Sequence, residues 1–134
     1  MFMLGAESQR RLQGVHPDLR QVVEHAIGLS TIDFSVLEGL RSLARQEQLY
    51  AQGRTTPGKI VTWTMKSKHL LGEAVDLVPF PLDWADTNKF DAISRAMFAA
   101  AKEVGVAIRW GADWDGDGTP REKGETDSPH FELA

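Results

Sequence analysis

The sequence predicts an α+β fold: a small antiparallel sheet with helices packed against it, formed by a single domain over residues 1–134. Three observations predict it. Helical and strand-like segments mix without the regular alternation of a doubly wound sheet, and the last strand-like pieces cluster near the C-terminus. The third is size, since 134 residues with 42% hydrophobic content supply one ordinary core but not two. Internal repeats, low-complexity tracts and linkers are absent from the sequence.

The first clear element begins at His16 and Pro17. Proline suits a first helical turn, and Leu19, Val22, Val23, Ala26 and Ile27 form one stripe at helical spacing before Gly28 ends it. His16 and His25 fall off that stripe and read as solvated. FSVLEGL, residues 34–40, reads as a short strand that delivers Arg41. A helix follows, with Ser42 as cap, Leu43, Gln46, Leu49 and Tyr50 along one side, and Gly53 as its stop. RTTPGK is a turn-rich loop, and IVTWT after it is either a strand or part of a cleft wall, with Trp63 open to a core or a substrate-facing reading.

EAVDLVPF reads as a strand, with Ala74, Asp76 and Val78 on one face and Val75 and Leu77 on the other. Past a Pro-containing connection, Asp86 or Thr87 caps a helix that buries Phe90, Ile93, Met97, Ala100 and Val104 and ends at Gly105. This stripe is core. VAIRW is a further strand, the acidic turn GADWDGDGTP follows, and FEL, which His130 precedes, is another short strand-like piece near the C-terminus.

Composition removes several function classes. With no cysteine there is no disulfide framework, no thiolate metal site and no Cys nucleophile. A net charge of −4 without any block of Lys or Arg argues against nucleic acid as a partner. The opening MFML lacks a basic leader and is too short for a signal-peptide core, and no stretch approaches the roughly 20 apolar residues of a membrane span. The chain is therefore expected to be made in the cytoplasm, without a signal peptide and without stable membrane association.

The chemistry concentrates in SKHLLGEAVD, residues 67–76, and DSPHFEL, residues 127–133. A carboxylate such as Asp76, with apolar neighbours along a buried strand, is costly unless it meets a hydrogen-bond partner, a counter-charge or a metal. Gly72 permits a tight bend that folds His69 back towards the strand, and His130 can arrive from a neighbouring strand. Two neutral imidazoles and one carboxylate suit zinc, and three protein ligands leave a fourth position for water. Each histidine taken alone is more often a surface or hydrogen-bonded residue. Arg41, at a strand end before a helix, reads either as a surface charge or as an anion-binding group.

The pattern SxHxxGxAxD followed by DxxHxE resembles the zinc D-alanyl-D-alanine carboxypeptidase and L-alanyl-D-glutamate peptidase family, most closely its phage L-alanyl-D-glutamate endolysins. The first motif is complete as Ser67, His69, Gly72, Ala74 and Asp76, and the second stands as Asp127, His130 and Glu132. The resemblance runs through nearly the whole chain and implies the same α+β architecture. It implies a zinc peptidase that cuts an amide in the stem peptide of bacterial peptidoglycan, with zinc on His69, Asp76 and His130. Asp127 would be the general base, where many relatives carry the longer Glu. Arg41 would lie near the scissile carbonyl, Ser67 would hydrogen-bond substrate, and Glu132 would orient His130 or face solvent. Within the class the alternative is a D-alanyl-D-alanine carboxypeptidase, for which Arg41, Lys66 or Lys68 are candidate carboxylate receptors; outside it stands a non-catalytic cell-wall or metal-binding module. A phage lysis enzyme of this kind is expected to act as a monomer. It would reach the wall or periplasm from the host cytoplasm once a separate membrane-permeabilising protein has acted.

DWDGDG, residues 113–118, matches the first half of a calcium loop of EF-hand type, with Asp113, Asp115 and Asp117 as oxygen donors. The expected bidentate Glu at the twelfth position is Gly124, with Glu125 one residue late and Glu122 two early, so a further oxygen would come from a downstream Glu or the Thr119 backbone. A solvated acidic turn is the plainer alternative. Because the loop leads into Asp127 and His130, calcium would regulate the site, as the resemblance to phage endolysins also implies.

Overall fold

The computed structural model describes residues 1–62, 65 and 67–134. Trp63 and Lys66, which the sequence marks as candidates, lie outside the described residues. The elements in chain order are α1 (Ala6–Arg11), α2 (Pro17–Leu29), β1 (Phe34–Glu38), α3 (Leu43–Ala51), a 3₁₀ turn (Lys68–Leu71), β2 (Ala74–Pro79), α4 (Thr87–Val104), β3 (Ile108–Trp110) and β4 (His130–Leu133). The four strands form one antiparallel sheet in the order β1-β2-β4-β3. The expected α+β architecture is the observed one.

The sheet has two different faces. Val36, Val75, Leu77, Ile108, Trp110 and Phe131 point to one side and join Leu19, Val22, Val23, Ile93, Met97 and Ala100 of α2 and α4 in a single apolar core. Fixed alternation along β2 and β4 then forces Ala74, Asp76, His130 and Glu132 to the other side. Hydrophobic burial of one face thus presents the polar residues on the other.

Several helix ends follow the sequence, but α2 runs through Gly28, the expected stop, to Leu29, with Ser30 as its C-cap. Asp86 caps α4 by accepting from the N–H groups of Asn88 and Lys89, and Gly105 ends it at φ 74°. Ser42 caps α3, and the ring of His16 caps α2 by accepting from the Asp18 N–H at 3.1 Å. His25 pairs with Glu103 across α2 and α4, so neither histidine is merely solvated.

Of Leu43, Gln46, Leu49 and Tyr50, expected along one side of α3, Gln46 alone is buried, while Leu43 is 57% exposed. The helix borders the cleft through Arg45 and Leu49 and spends its one buried position on a hydrogen-bonding amide. Helix α1 was not expected at all. Its six residues are too few for periodicity to show, and Gly5 gives no side-chain cap. It closes the outer edge of β1, where the Val36 N–H donates to Ser8 Oγ at 2.9 Å and Arg11 Nη1 donates to the Val36 carbonyl at 3.0 Å.

Candidate active site

His69, Asp76 and His130 meet on the polar face. Asp76 and His130 are direct cross-strand partners on β2 and β4, so the pairing register itself sets them side by side. His69 comes from the 3₁₀ turn, which Ser67 Oγ caps by accepting the His69 N–H at 3.2 Å. Gly72 closes the turn at φ 70°, where a Cβ would lie 2.4 Å from the Gly14 carbonyl oxygen. No other residue satisfies both the left-handed backbone and the close approach.

The lone pairs converge. His69 Nδ1 lies 2.8 Å from the Gly39 carbonyl and can only donate to it, which leaves Nε2 as the acceptor nitrogen. His130 Nε2 lies 2.9 Å from Glu132 Oε1 and donates in the same way, which leaves Nδ1. Both free nitrogens stand 3.4 Å from Asp76 Oδ1. Ligand bonds of about 2.0–2.1 Å at tetrahedral angles separate donor atoms by about 3.3 Å. The spacing therefore fits a tetrahedral metal site. Among the described residues His69 Nε2 and Asp76 Oδ1 are buried with no hydrogen-bond partner, a state that typically costs about 1–3 kcal/mol per group unless something else binds them. These three residues could hold a metal ion.

Electrostatics tighten the cluster. Burial acts to lower the His130 pKa, but Asp76 and Glu132 outweigh it and hold it up at about 9. Burial acts to raise Asp76, and the two imidazoles against it, His130 and then His69, overcome it and hold the carboxyl well below the usual aspartate range. A metal ion arriving at neutral pH must displace a proton from His130.

Asp127 borders the triad. Its Oδ2 is 3.9 Å from His130 Nδ1 and its side chain is 54% exposed, so it faces both the cluster and the solvent of the cleft. Desolvation by the cleft wall raises its pKa, as does the charge of Asp76, against the opposing pull of His130, His69 and Arg41. Its placement depends on a residue the sequence did not single out: a Cβ on Gly111 would lie 2.3 Å from the Asp127 carbonyl oxygen. The Asp127 N–H donates to Gly111 at 3.1 Å, and Trp110 Nε1 donates to Ser128 at 2.7 Å.

Arg41 lines the same cleft, a cavity of about 560 Å³ that also includes Ser67, Asp127 and the triad. Its guanidinium donates to both oxygens of Glu38 at 2.7 and 2.8 Å and to Gln46 Oε1 at 2.7 Å. Of its five N–H groups, one on each terminal nitrogen keeps no partner among the described residues. Glu38 reaches this face through a bulge between Val36 and Glu38, which sets it opposite Asp76. Glu132 has its second oxygen 3.3 Å from Lys68 Nζ, so it orients His130 and does not simply face solvent. The side chain of Gln48, on the exposed side of α3, makes only a 3.4 Å contact with Arg45 among the described residues.

The acidic loop forms a second cluster. Carboxylate oxygens of Asp113, Asp115, Asp117 and Glu125 lie within 4.8 Å of one another. Glu125 is the downstream carboxylate; it is buried, and Asp113 Oδ1 and Glu125 Oε1 have no hydrogen-bond partner among the described residues. Backbone N–H groups of Asp115, Asp117, Gly118 and Thr119 donate to the other oxygens at 2.8–3.3 Å. Trp114, between two of the acids, lines the same cleft as the triad, with its ring centre 5.4 Å from that of His130.

The sequence model of the phage L-alanyl-D-glutamate peptidase family matches residues 1–134. The L-alanyl-D-glutamate peptidase of Escherichia phage T5 is 35% identical, over 98% of both chains. The peptidoglycan L-alanyl-D-glutamate endopeptidase CwlK of Bacillus subtilis is 32% identical, over 89% of this chain and 73% of the relative. Among solved structures, the L-Ala D-Glu endopeptidase ChiX of Serratia marcescens superposes with a TM-score of 0.80 at 36% identity, covering 98% of this chain and 90% of that one.

Proposed function

We propose, for a chain that belongs to the phage L-alanyl-D-glutamate peptidase family, that the cleft hydrolyses the L-alanyl-D-glutamate amide of the peptidoglycan stem peptide and that zinc sits on His69 Nε2, Asp76 Oδ1 and His130 Nδ1. The endopeptidase activity rests on the family and on relatives that carry it by name. The observation that carries the zinc reading is the pair of 3.4 Å separations, with each histidine held in the tautomer that turns its lone pair inward. When bound, zinc would polarise the scissile carbonyl and lower the pKa of a water from about 15.7 to about 7.

The chain's own residues do the rest. Asp127 accepts a proton from the attacking water, a task for which its raised pKa makes it a better base than an ordinary aspartate. As the C–N bond breaks it returns that proton to the departing D-glutamyl nitrogen, leaving an alanyl carboxylate and a free amine. Arg41, its fork fixed by Glu38 and Gln46, donates its remaining N–H groups to the carbonyl oxygen as charge builds there. Ser67 caps the His69 turn through its oxygen and keeps its hydroxyl proton for substrate.

The acidic loop is proposed to bind calcium through Asp113, Asp115, Asp117 and Glu125, the last replacing the missing acid at the twelfth position. Its two orphaned buried oxygens support this reading, and the loop's continuity with Asp127 and Trp114 would make calcium a regulator of the cleft. No helix among the described residues is long and apolar enough to cross a membrane. The enzyme is proposed to work as a monomer that is made in the host cytoplasm and reaches the wall after a separate membrane-permeabilising protein acts.

The test is mass spectrometry of digested muropeptides, with metal analysis of the same preparation. New D-glutamyl amino termini, loss of cleavage on chelation and recovery with zinc are expected. Release of free D-alanine instead would assign the carboxypeptidase reaction, and an intact digest with zinc-loaded protein would leave only a binding module.

A further inference from the structure

Charge in the cleft is unevenly compensated. Its lining carries the carboxylates of Glu38, Asp76, Asp127 and Glu132, and an anionic substrate group entering there meets repulsion unless a cation receives it. Arg41 is already held by both oxygens of Glu38, and Lys68 by Glu132 and the Leu133 carbonyl. Arg45 is different. It lines the same cleft and is exposed, and its guanidinium has no carboxylate partner among the described residues, only the 3.4 Å contact with the neutral Gln48 amide.

The backbone holds it in that position. The Arg45 N–H donates to Ser42 Oγ at 3.1 Å, fixing the first turn of α3, and Leu49 one turn later lines the cleft as well. This side of the helix therefore looks into the site, while Gln46 turns beneath it to hold Arg41.

The substrate supplies the complementary group. A D-glutamyl residue joined through its nitrogen to alanine has two carboxyls, and the stem continues through one of them. The other is left next to the scissile amide, as an acid or as its primary amide. We infer that Arg45 is the receptor for this free carboxylate, so that the enzyme distinguishes stems by the charge of the D-glutamyl residue on the leaving side. A guanidinium fork matches a carboxylate with two parallel hydrogen bonds, whereas a carboxamide offers one acceptor and no charge. The inference rests on the endopeptidase reading and adds a specificity to it.

The experiment compares two synthetic stem peptides that differ only in that group, free acid against primary amide, with zinc-loaded wild type, Arg45→Gln and Arg45→Lys. Wild type is expected to prefer the acid. Arg45→Gln should lower kcat/KM on the acid about tenfold, mostly through KM, with a much smaller loss on the amide. Arg45→Lys, which keeps the charge, should recover part of the loss on the acid. If the loss on the acid does not exceed that on the amide by about threefold, or if wild type prefers the amide, the subsite is wrong. Wild type inert on both peptides would overturn the endopeptidase reading, and the subsite with it. That result is visible before any variant is compared.

Discussion

Two clusters that could hold a cation stand among the described residues, built in opposite ways. The triad grows out of regular structure: cross-strand register places Asp76 against His130, and fixed hydrogen bonds to Gly39 and Glu132 choose which nitrogen of each ring faces inward. The acidic loop grows out of turns, and its oxygens satisfy one another's backbone N–H groups while two of them remain bare. A site set by the sheet is in place before its ion arrives. A site set by turns has much of its shape to gain from the ion. The first arrangement suits chemistry, where misplacement by a fraction of an ångström is costly, and the second suits control.

If the sheet-borne site is the chemical one, the largest effects belong there. His69→Ala should abolish both zinc retention and cleavage; equal zinc by elemental analysis in variant and wild type would break the ligand assignment. Asp127→Asn should retain zinc yet lose about 10²–10⁴-fold in kcat, since the amide keeps the shape but takes no proton. Normal zinc with near-normal turnover would remove Asp127 as base. Arg41→Lys keeps the charge and forfeits the fork that Glu38 and Gln46 hold, so a loss of about tenfold on peptidoglycan is expected. Unchanged kinetics would exclude Arg41 from the site.

The turn-borne site should show smaller effects, and on stability as much as on rate. Calcium at about a hundredfold excess over its Kd would stabilise zinc-loaded protein by about 2.7 kcal/mol, a shift of several degrees in Tm, and should raise activity. Asp115→Ala and Asp117→Ala should lose both responses. A calcium titration that moves neither Tm nor rate in the wild type would reduce the loop to an acidic turn and end the comparison.

The two clusters were not equally legible. The triad could be read because each member sits in a local pattern with a structural consequence: alternation sets the face of Asp76 and His130, and Gly72 marks the bend that returns His69. What surrounds it is less local. Strict alternation along β1 would put Glu38 on the same face as Phe34 and Val36; the bulge turns it to the cleft, where it holds Arg41. Gly39 has no room for a Cβ, which would lie 2.2 Å from the Arg11 carbonyl oxygen, but it fixes His69 through its own carbonyl, and no side-chain pattern reveals that role. In the loop the spacing of the three aspartates was plain, but Glu125 joins them only because the chain turns back. Trp114 reaches the cleft for the same reason.

The smallest effect sharpens the comparison most, because it tests whether the loop's charges really act on one another. Glu122 lies beside the cluster, and a shared hydrogen bond and the charge of Asp117 push its pKa up to about 7. Asp117 itself is lowered, first by the Thr119 N–H and then by Glu122, so the pair holds one proton between them near neutrality. The sign follows from that proton. A raised pKa in the calcium-free loop means partial protonation at pH 7, and calcium, by drawing on the charge of Asp117, would relieve Glu122 and release the proton. Calcium affinity should therefore rise with pH through about 7 and level off above it, by about twofold from pH 7 to the plateau, since about half a proton is exchanged at pH 7. Titration calorimetry at pH 7 in two buffers of different ionisation enthalpy reads this directly as a difference in apparent heat. The difference should vanish at pH 9 and in Glu122→Gln. Calcium binding with no proton release at pH 7 would show that Glu122 and Asp117 titrate independently, and the loop would then be a set of separate solvated acids that happen to share an ion.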